Sequence, residues 1–220
     1  MSGKKESSKN RKERLENILA ALKRKYPEAP LALRFGNGFE LLVAVILSAQ
    51  CTDERVNQVT EKLFEKYRSA HDYLQVSREQ LEEQIKPTGF YRNKAKSLQA
   101  CCRMLVDQYE GEVPKDIDSL VKLPGVGRKT AAMVLGNAYD LQQGIAVDTH
   151  VSRVVQRLQF SAAKTPDKIE QELMKMVPQN QWTWFSNALI LHGRETCTAK
   201  KPKCGVCSIE KWCLFPDKIL

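Results

Sequence analysis

Apolar residues in this chain recur at helical intervals from one end to the other, and no stretch alternates apolar with polar long enough to suggest a sheet. Leu15, Ile18, Leu19 and Leu22 share one side of a helix that ends before Pro27 and Pro30. Phe39 to Ala49 is apolar nearly all round, the pattern of a buried helix. Val56, Val59, Leu63 and Tyr67 form a third stripe, and Ala95, Leu98, Cys102, Leu105 and Tyr109 a later one. Helix starts are marked as well. Ser77 with Gln80 is a capping box, Asp116 caps a short helix to Leu123, and a helix follows from Arg128 to Tyr139. Thr165 with Pro166 opens a helix that Pro178 stops, and the last runs from Gln181 to Gly193. An all-α fold of about ten helices follows.

Nothing here spans a membrane: the longest apolar run, Leu41 to Leu47, falls far short of the roughly 20 residues a bilayer requires. Lys4 and Lys5 are not followed by the apolar stretch of a signal peptide, so an intracellular protein is expected. Thirty-five Lys and Arg against 26 Asp and Glu leave a net charge of +9, which favours contact with a polyanion, most often nucleic acid. Residues 1–10, with Lys4, Lys5 and Lys9 among Ser and Asn, read as a disordered basic arm, either brushing a phosphate backbone or serving only solubility.

The seven cysteines separate by position. Cys197, Cys204, Cys207 and Cys213 follow the spacing C-x6-C-x2-C-x5-C. Without a secretory context, four thiolates so close are most simply the ligands of one centre, and the spacing is compatible with structural zinc or an iron-sulfur cluster. Too few apolar residues surround them to hold the segment together, so the metal would order it and present Lys200, Lys201 and Lys203 at its surface. Cys51, Cys101 and Cys102 read as packing thiols.

The segment from Leu123 through Pro124, Gly125, Val126, Gly127, Arg128, Lys129 and Thr130 to Ala131 joins two helices by a tight turn. Gly125 and Gly127 permit positive φ and close backbone approach, and the start of the second helix can hold an anion such as a phosphate diester. A plain helix-helix corner is the alternative. Lys129 adds weight to the first reading. A cation in the first turn of a helix is disfavoured, and that field, with Arg128 adjacent and partial burial, would lower the amine pKa and favour a nucleophile. In Ala146-Val147-Asp148-Thr149-His150, Asp148 is either an N-cap worth about 1 kcal/mol or a carboxylate held ionised for chemistry.

Taken in order, the hairpin segment, the A-V-D-T-H motif and the terminal cysteine spacing closely resemble the bacterial endonuclease III family of the helix-hairpin-helix DNA glycosylase superfamily. The resemblance runs from Leu15 to Cys213. It implies two lobes with DNA bound between them: a six-helix barrel over residues 31–142 carrying the hairpin, and a discontinuous lobe of residues 1–30 and 143–220 with a cluster loop at 197–213. It further implies a 4Fe-4S cluster on Cys197, Cys204, Cys207 and Cys213, with Lys129 as catalytic lysine and Asp148 as catalytic aspartate. Gln50 and Phe90 match wedge residues that fill the space left by a flipped base, although Phe90 stands where the family commonly has leucine. Gly125, Gly127, Arg128, His150 and Lys201 match DNA-contacting positions. The expected activity is that of a bifunctional glycosylase and AP lyase, removing oxidised pyrimidines and nicking 3′ to the abasic site through a lysine Schiff base. A monofunctional glycosylase and a non-catalytic DNA-binding protein are the alternatives. The expected partner is double-stranded DNA with damaged or abasic nucleotides, met by a monomer in the bacterial cytoplasm at the nucleoid.

Overall fold

The computed structural model describes residues 6–220, and among these it contains helices, 3-10 turns and loops but no strand. The chain divides into two compact units, one of residues up to Pro30 with Gly144–Leu220 and the other of Leu31–Gln143.

The discontinuous unit opens with α1 (Ser8–Lys25), which Ser7 caps by accepting the Asn10 N–H. Ser8, Lys9 and Asn10 are therefore helical where the sequence suggests an arm; the rest of that arm, residues 1–5, lies outside the described residues. The reason is Arg14, which is buried and forks onto Glu6 at 2.8 and 2.9 Å while donating to the Leu158 carbonyl at 2.8 Å. Its guanidinium also lies 4.3 Å from the centre of the Phe160 ring. α9 (Thr149–Arg157), α10 (Pro166–Met174) and α11 (Trp182–Glu195) complete this unit. They bury Ile18, Leu22, Val151, Val155, Phe160, Phe185 and Leu189 in one core, where each large side chain contributes about 1.5–3 kcal/mol.

The continuous unit is built around α2 (Gly38–Leu47), in which every residue from Leu41 to Leu47 is buried, as its all-round apolarity requires. α3 (Asp53–Lys66), α6 (Tyr91–Tyr109) and α8 (Arg128–Tyr139) pack against it. α4 (Ala70–Gln75) and α5 (Arg78–Ile85) lie along α6, and the four-residue α7 (Ile117–Leu120) leads into the hairpin. α4 is absent from the sequence reading because its apolar pattern is short. It forms through a capping box in which Ser69 and Asp72 satisfy each other's backbone N–H.

Gly38, at the start of α2, lies so close to α8 that a Cβ there would overlap the Tyr139 hydroxyl. Gly38→Ala is expected to destabilise the protein by about 2 kcal/mol, the cost of overpacking a well-filled contact. Chemical denaturation measures this, and an unchanged midpoint would mean that the tyrosine swings aside freely. No helix among the described residues is long and apolar enough to cross a membrane.

Candidate active site and metal centre

In the continuous unit the hairpin hangs on two buried residues, Leu123 and Val126, with the Val126 N–H donating to the Leu123 carbonyl at 3.0 Å. Gly125 has φ +82°, and a Cβ on it would meet the Ser97 Cβ at 3.0 Å, so both its conformation and its surroundings call for glycine. Gly127 departs from the expected positive φ: at φ −93° and ψ 173° it is extended, and open space lies where its Cβ would be. Its carbonyl accepts the first bond of α8, from the Ala131 N–H at 2.9 Å. The N-terminal end of α8 thus meets solvent beside the turn, with the dipole polarity that favours an anion.

Arg128 and Lys129 form the first turn of α8. Arg128 is half-buried, whereas Lys129 is exposed, contrary to the partial burial expected of it. The cause is its place in the first turn of α8, at the solvent end of the helix, since continuous burial begins only at Ala131. The amine is thereby accessible to an incoming group without any opening of the fold.

Gln50 and Phe90 share an unusual backbone. Gln50, in the turn after α2, has φ 53°, and Phe90, the N-cap of α6, has φ 47°. A left-handed conformation costs a residue with a Cβ about 1–2 kcal/mol and persists only where the surroundings impose it. Both residues line one open pocket of about 280 Å³, together with Asn93, Lys94, Ser97 and Gly125. Phe90 is 62% exposed despite its apolar ring. The continuous unit therefore gathers Gln50, Phe90 and Gly125 around one pocket, and Gly127, Arg128 and Lys129 follow directly along the chain.

In the discontinuous unit Asp148 caps α9, its Oδ1 accepting the Val151 N–H at 2.8 Å. His150 Nδ1 lies 3.2 Å from Arg153 Nη2. Arg153 in turn donates to the Cys197 and Gly193 carbonyls at 3.1 and 2.8 Å. One turn further on, Arg157 donates to the Cys197 Sγ at 3.2 Å, to the Thr198 carbonyl at 2.8 Å and to the Ala199 carbonyl at 2.9 Å. Two arginines on α9 thus tie the helix that Asp148 begins to the first stretch of the cysteine segment. The sequence reading missed both; their i, i+4 spacing in R-V-V-Q-R was the available signal.

Cys197, Cys204, Cys207 and Cys213 line one pocket, with buried His192 and with Arg157 at its wall. Among the described residues no three His, Cys, Asp or Glu side chains close on a single ion. Four cysteine sulfurs lining one pocket are the donor set that an iron-sulfur cluster takes. Burial pushes the Cys207 and Cys213 thiols up, so ligation there must displace protons. Burial also drives His192 down to about 4, with Lys25 adding to the effect; its ring is neutral near pH 7, with Nε2 3.6 Å from Cys207 Sγ. Lys200, Lys201 and Lys203 are all exposed on the loop between the first two cysteines. Cys101 and Cys102 are buried and Cys51 half-buried, as packing thiols would be.

Residues 43–179 match the HhH-GPD superfamily of base excision DNA repair proteins, and residues 197–213 match the iron-sulfur binding domain of endonuclease III. Endonuclease III of Synechocystis sp. is 48% identical over 204 residues, covering 93% of each chain. Two solved structures, each 47% identical with a TM-score of 0.87 and covering 92% of this chain, are a non-covalent endonuclease III-DNA complex and a trapped covalent endonuclease III-DNA intermediate. This chain covers 94% of the first and 95% of the second.

Proposed function

Because the chain belongs to the HhH-GPD superfamily of base excision DNA repair proteins, within the endonuclease III family, we propose that Lys129 and Asp148 carry its reaction. It is a bifunctional DNA glycosylase and AP lyase that removes oxidised pyrimidines and nicks the strand 3′ to the abasic site. The observation that carries the residue assignment is the exposed Lys129 amine in the first turn of α8, directly after the hairpin.

The lesion must first leave the helix stack, at a cost of a few kcal/mol that is smaller for a poorly stacked base. Phe90 enters the gap, and Gln50 offers its amide to the base left without a partner. The hairpin from Gly125 to Arg128 and the start of α8 hold the backbone phosphate, while His150 and Lys201 contact further phosphates. The neutral amine of Lys129 attacks C1′ as the bond from C1′ to the base breaks. Asp148 stabilises the positive charge that develops on the sugar. Opening of the sugar ring yields a Schiff base on Lys129. This withdraws electrons from C2′, a C2′ proton is lost, and the bond from C3′ to the phosphate oxygen breaks. Water then hydrolyses the imine and frees Lys129.

A 4Fe-4S cluster, held by Cys197, Cys204, Cys207 and Cys213, supplies iron-thiolate links that order residues 197–213 and the lysines they display. The preferred partner is duplex DNA containing a damaged or abasic nucleotide, bound by a single chain with residues 31–142 as one lobe and the rest as the other. Its place of action is the nucleoid in the bacterial cytoplasm. The decisive experiment is analysis of product ends: β-elimination leaves a 3′ unsaturated aldehyde and a 5′ phosphate. Intact strands with a free abasic site would indicate a monofunctional glycosylase, and unaltered DNA a binding protein.

Asp148 has two duties that one pair of variants separates. Asparagine also caps a helix, so Asp148→Asn is expected to melt like the parent while base release slows by about 10²-fold or more. Asp148→Ala should lose about 1 kcal/mol of stability as well. Single-turnover rates beside thermal melts decide the matter, and a fully active Asp148→Asn would reduce the residue to a cap.

A further inference from the structure

Phe90 projects from a turn that has little of its own to hold it. Lys86–Thr88 form a single 3-10 turn, Gly89 follows at φ 70°, and Phe90 at φ 47° is the N-cap of α6 with no side-chain cap bond. A Cβ on Gly89 would meet nothing within 4 Å, so neighbouring side chains do not brace the turn there. The bracing comes from Lys94, which is 5% exposed. Its Nζ donates to the Thr88 carbonyl at 2.7 Å, and its backbone N–H donates to the Phe90 carbonyl at 3.1 Å. One residue thus grips the chain on both sides of the left-handed pair. Thr88, itself buried, is fixed in turn by its hydroxyl, which donates to the Ile85 carbonyl at 2.8 Å.

An ammonium is costly to bury, and a methionine would fill the same space without that cost. A lysine in this position is best explained by the bond its charge makes. The same side chain lines the pocket shared by Gln50, Phe90 and Asn93, so what it holds in place is the surface that fills the gap left by the displaced base.

We propose that Lys94 is the positioning residue of the wedge, its buried ammonium fixing the backbone from Thr88 to Phe90 so that the ring is already aimed when damaged DNA arrives. This rests on Phe90 acting as the wedge. Preorganisation of this kind lowers the ordering cost at the moment of insertion. Its effect is confined to substrates whose stack must be invaded.

A double-mutant cycle tests the proposal, using single-turnover rates on two DNAs: a duplex with one ring-saturated thymine, and a single-stranded oligonucleotide with one abasic site. Phe90→Ala is expected to lower the ratio of duplex to single-strand rate by about tenfold, and Lys94→Met to lower it to a similar extent. In the Phe90→Ala background, Lys94→Met should lower the ratio by less than about twofold, because the ring it positions is gone. Lys94→Arg, which keeps a charged donor, should recover most of the loss. Equal slowing on both DNAs, or full additivity in the cycle, would overturn the role of Lys94 while leaving the wedge intact. An unchanged ratio in Phe90→Ala would instead remove the wedge reading, and this proposal with it. If Lys94→Met does not fold, as judged by circular dichroism, Lys94→Gln takes its place in the same cycle, since its shorter amide cannot reproduce the ammonium grip.

Discussion

Lys129→Ala is expected to abolish the protein-DNA adduct that borohydride traps during turnover, and to lower strand nicking by on the order of 10⁴-fold, the scale of losing a covalent nucleophile. The structure makes this a clean experiment. Lys129 is exposed, and the buried stretch of α8 begins only at Ala131, so alanine removes nothing from the packing. Removing a cation from the first turn of a helix relieves an unfavourable interaction of a few tenths of a kcal/mol, so the variant should be at least as stable as its parent. Duplex binding should survive as well, because the proposed phosphate contacts of the hairpin come from its backbone and from the positive end of α8. A variant that still binds, still melts normally and no longer forms the imine assigns the chemistry to the amine. An adduct that persists in Lys129→Ala would place the nucleophile elsewhere.

The second large effect concerns the cysteine segment. Cys204→Ala is expected to give a colourless protein without its complement of about four irons, and with it loss of order in residues 197–213. Arg153 and Arg157 fix residues 197–199, but beyond Ala199 little else holds this segment. Its own 3-10 turns at Cys204–Val206 and Glu210–Trp212 are short, and Ile209 is the apolar residue it places in the core. Duplex affinity should fall by about tenfold or more, with a shallower dependence on salt, because Lys200, Lys201 and Lys203 no longer form a fixed surface. Visible absorption, iron content and binding across a salt series measure this. A colourless variant that binds DNA with the parent's salt slope would show that the cluster does not organise the basic loop.

Helix positions were legible in the sequence wherever periodicity ran for several turns or a cap marked the start. α8 begins and ends where its pattern predicts, and Asp116 and Asp148 cap the helices expected of them. α4 escaped because a six-residue helix carries its information in the Ser69 to Asp72 reciprocity rather than in a stripe. Site residues divide the same way. The cysteine spacing, the glycine turn and the lysine after it are local signals. What stayed hidden depends on contacts distant in sequence or on backbone conformation: Arg153 and Arg157 reaching the segment after Gly193, Lys94 turning back on Thr88, and the left-handed state of Gln50 and Phe90. Gly127 shows the converse, since a residue type suited to positive φ stands at an extended position with open space at its Cβ, so neither its φ nor its surroundings within the described residues call for glycine.

The discontinuous unit joins α1 to residues from Ile145 onward in a single core, so the first helix to be synthesised finds its packing partners only after the whole of the continuous unit has emerged. Until then Leu15, Ile18 and Leu22 have no core to enter. The continuous unit, with the hairpin and Lys129, can therefore form before the core around α9 and α11 is complete. Folding of this unit is thus necessarily non-local, and α1 should gain protection from hydrogen exchange together with α9 and α11, later than the helices of the continuous unit.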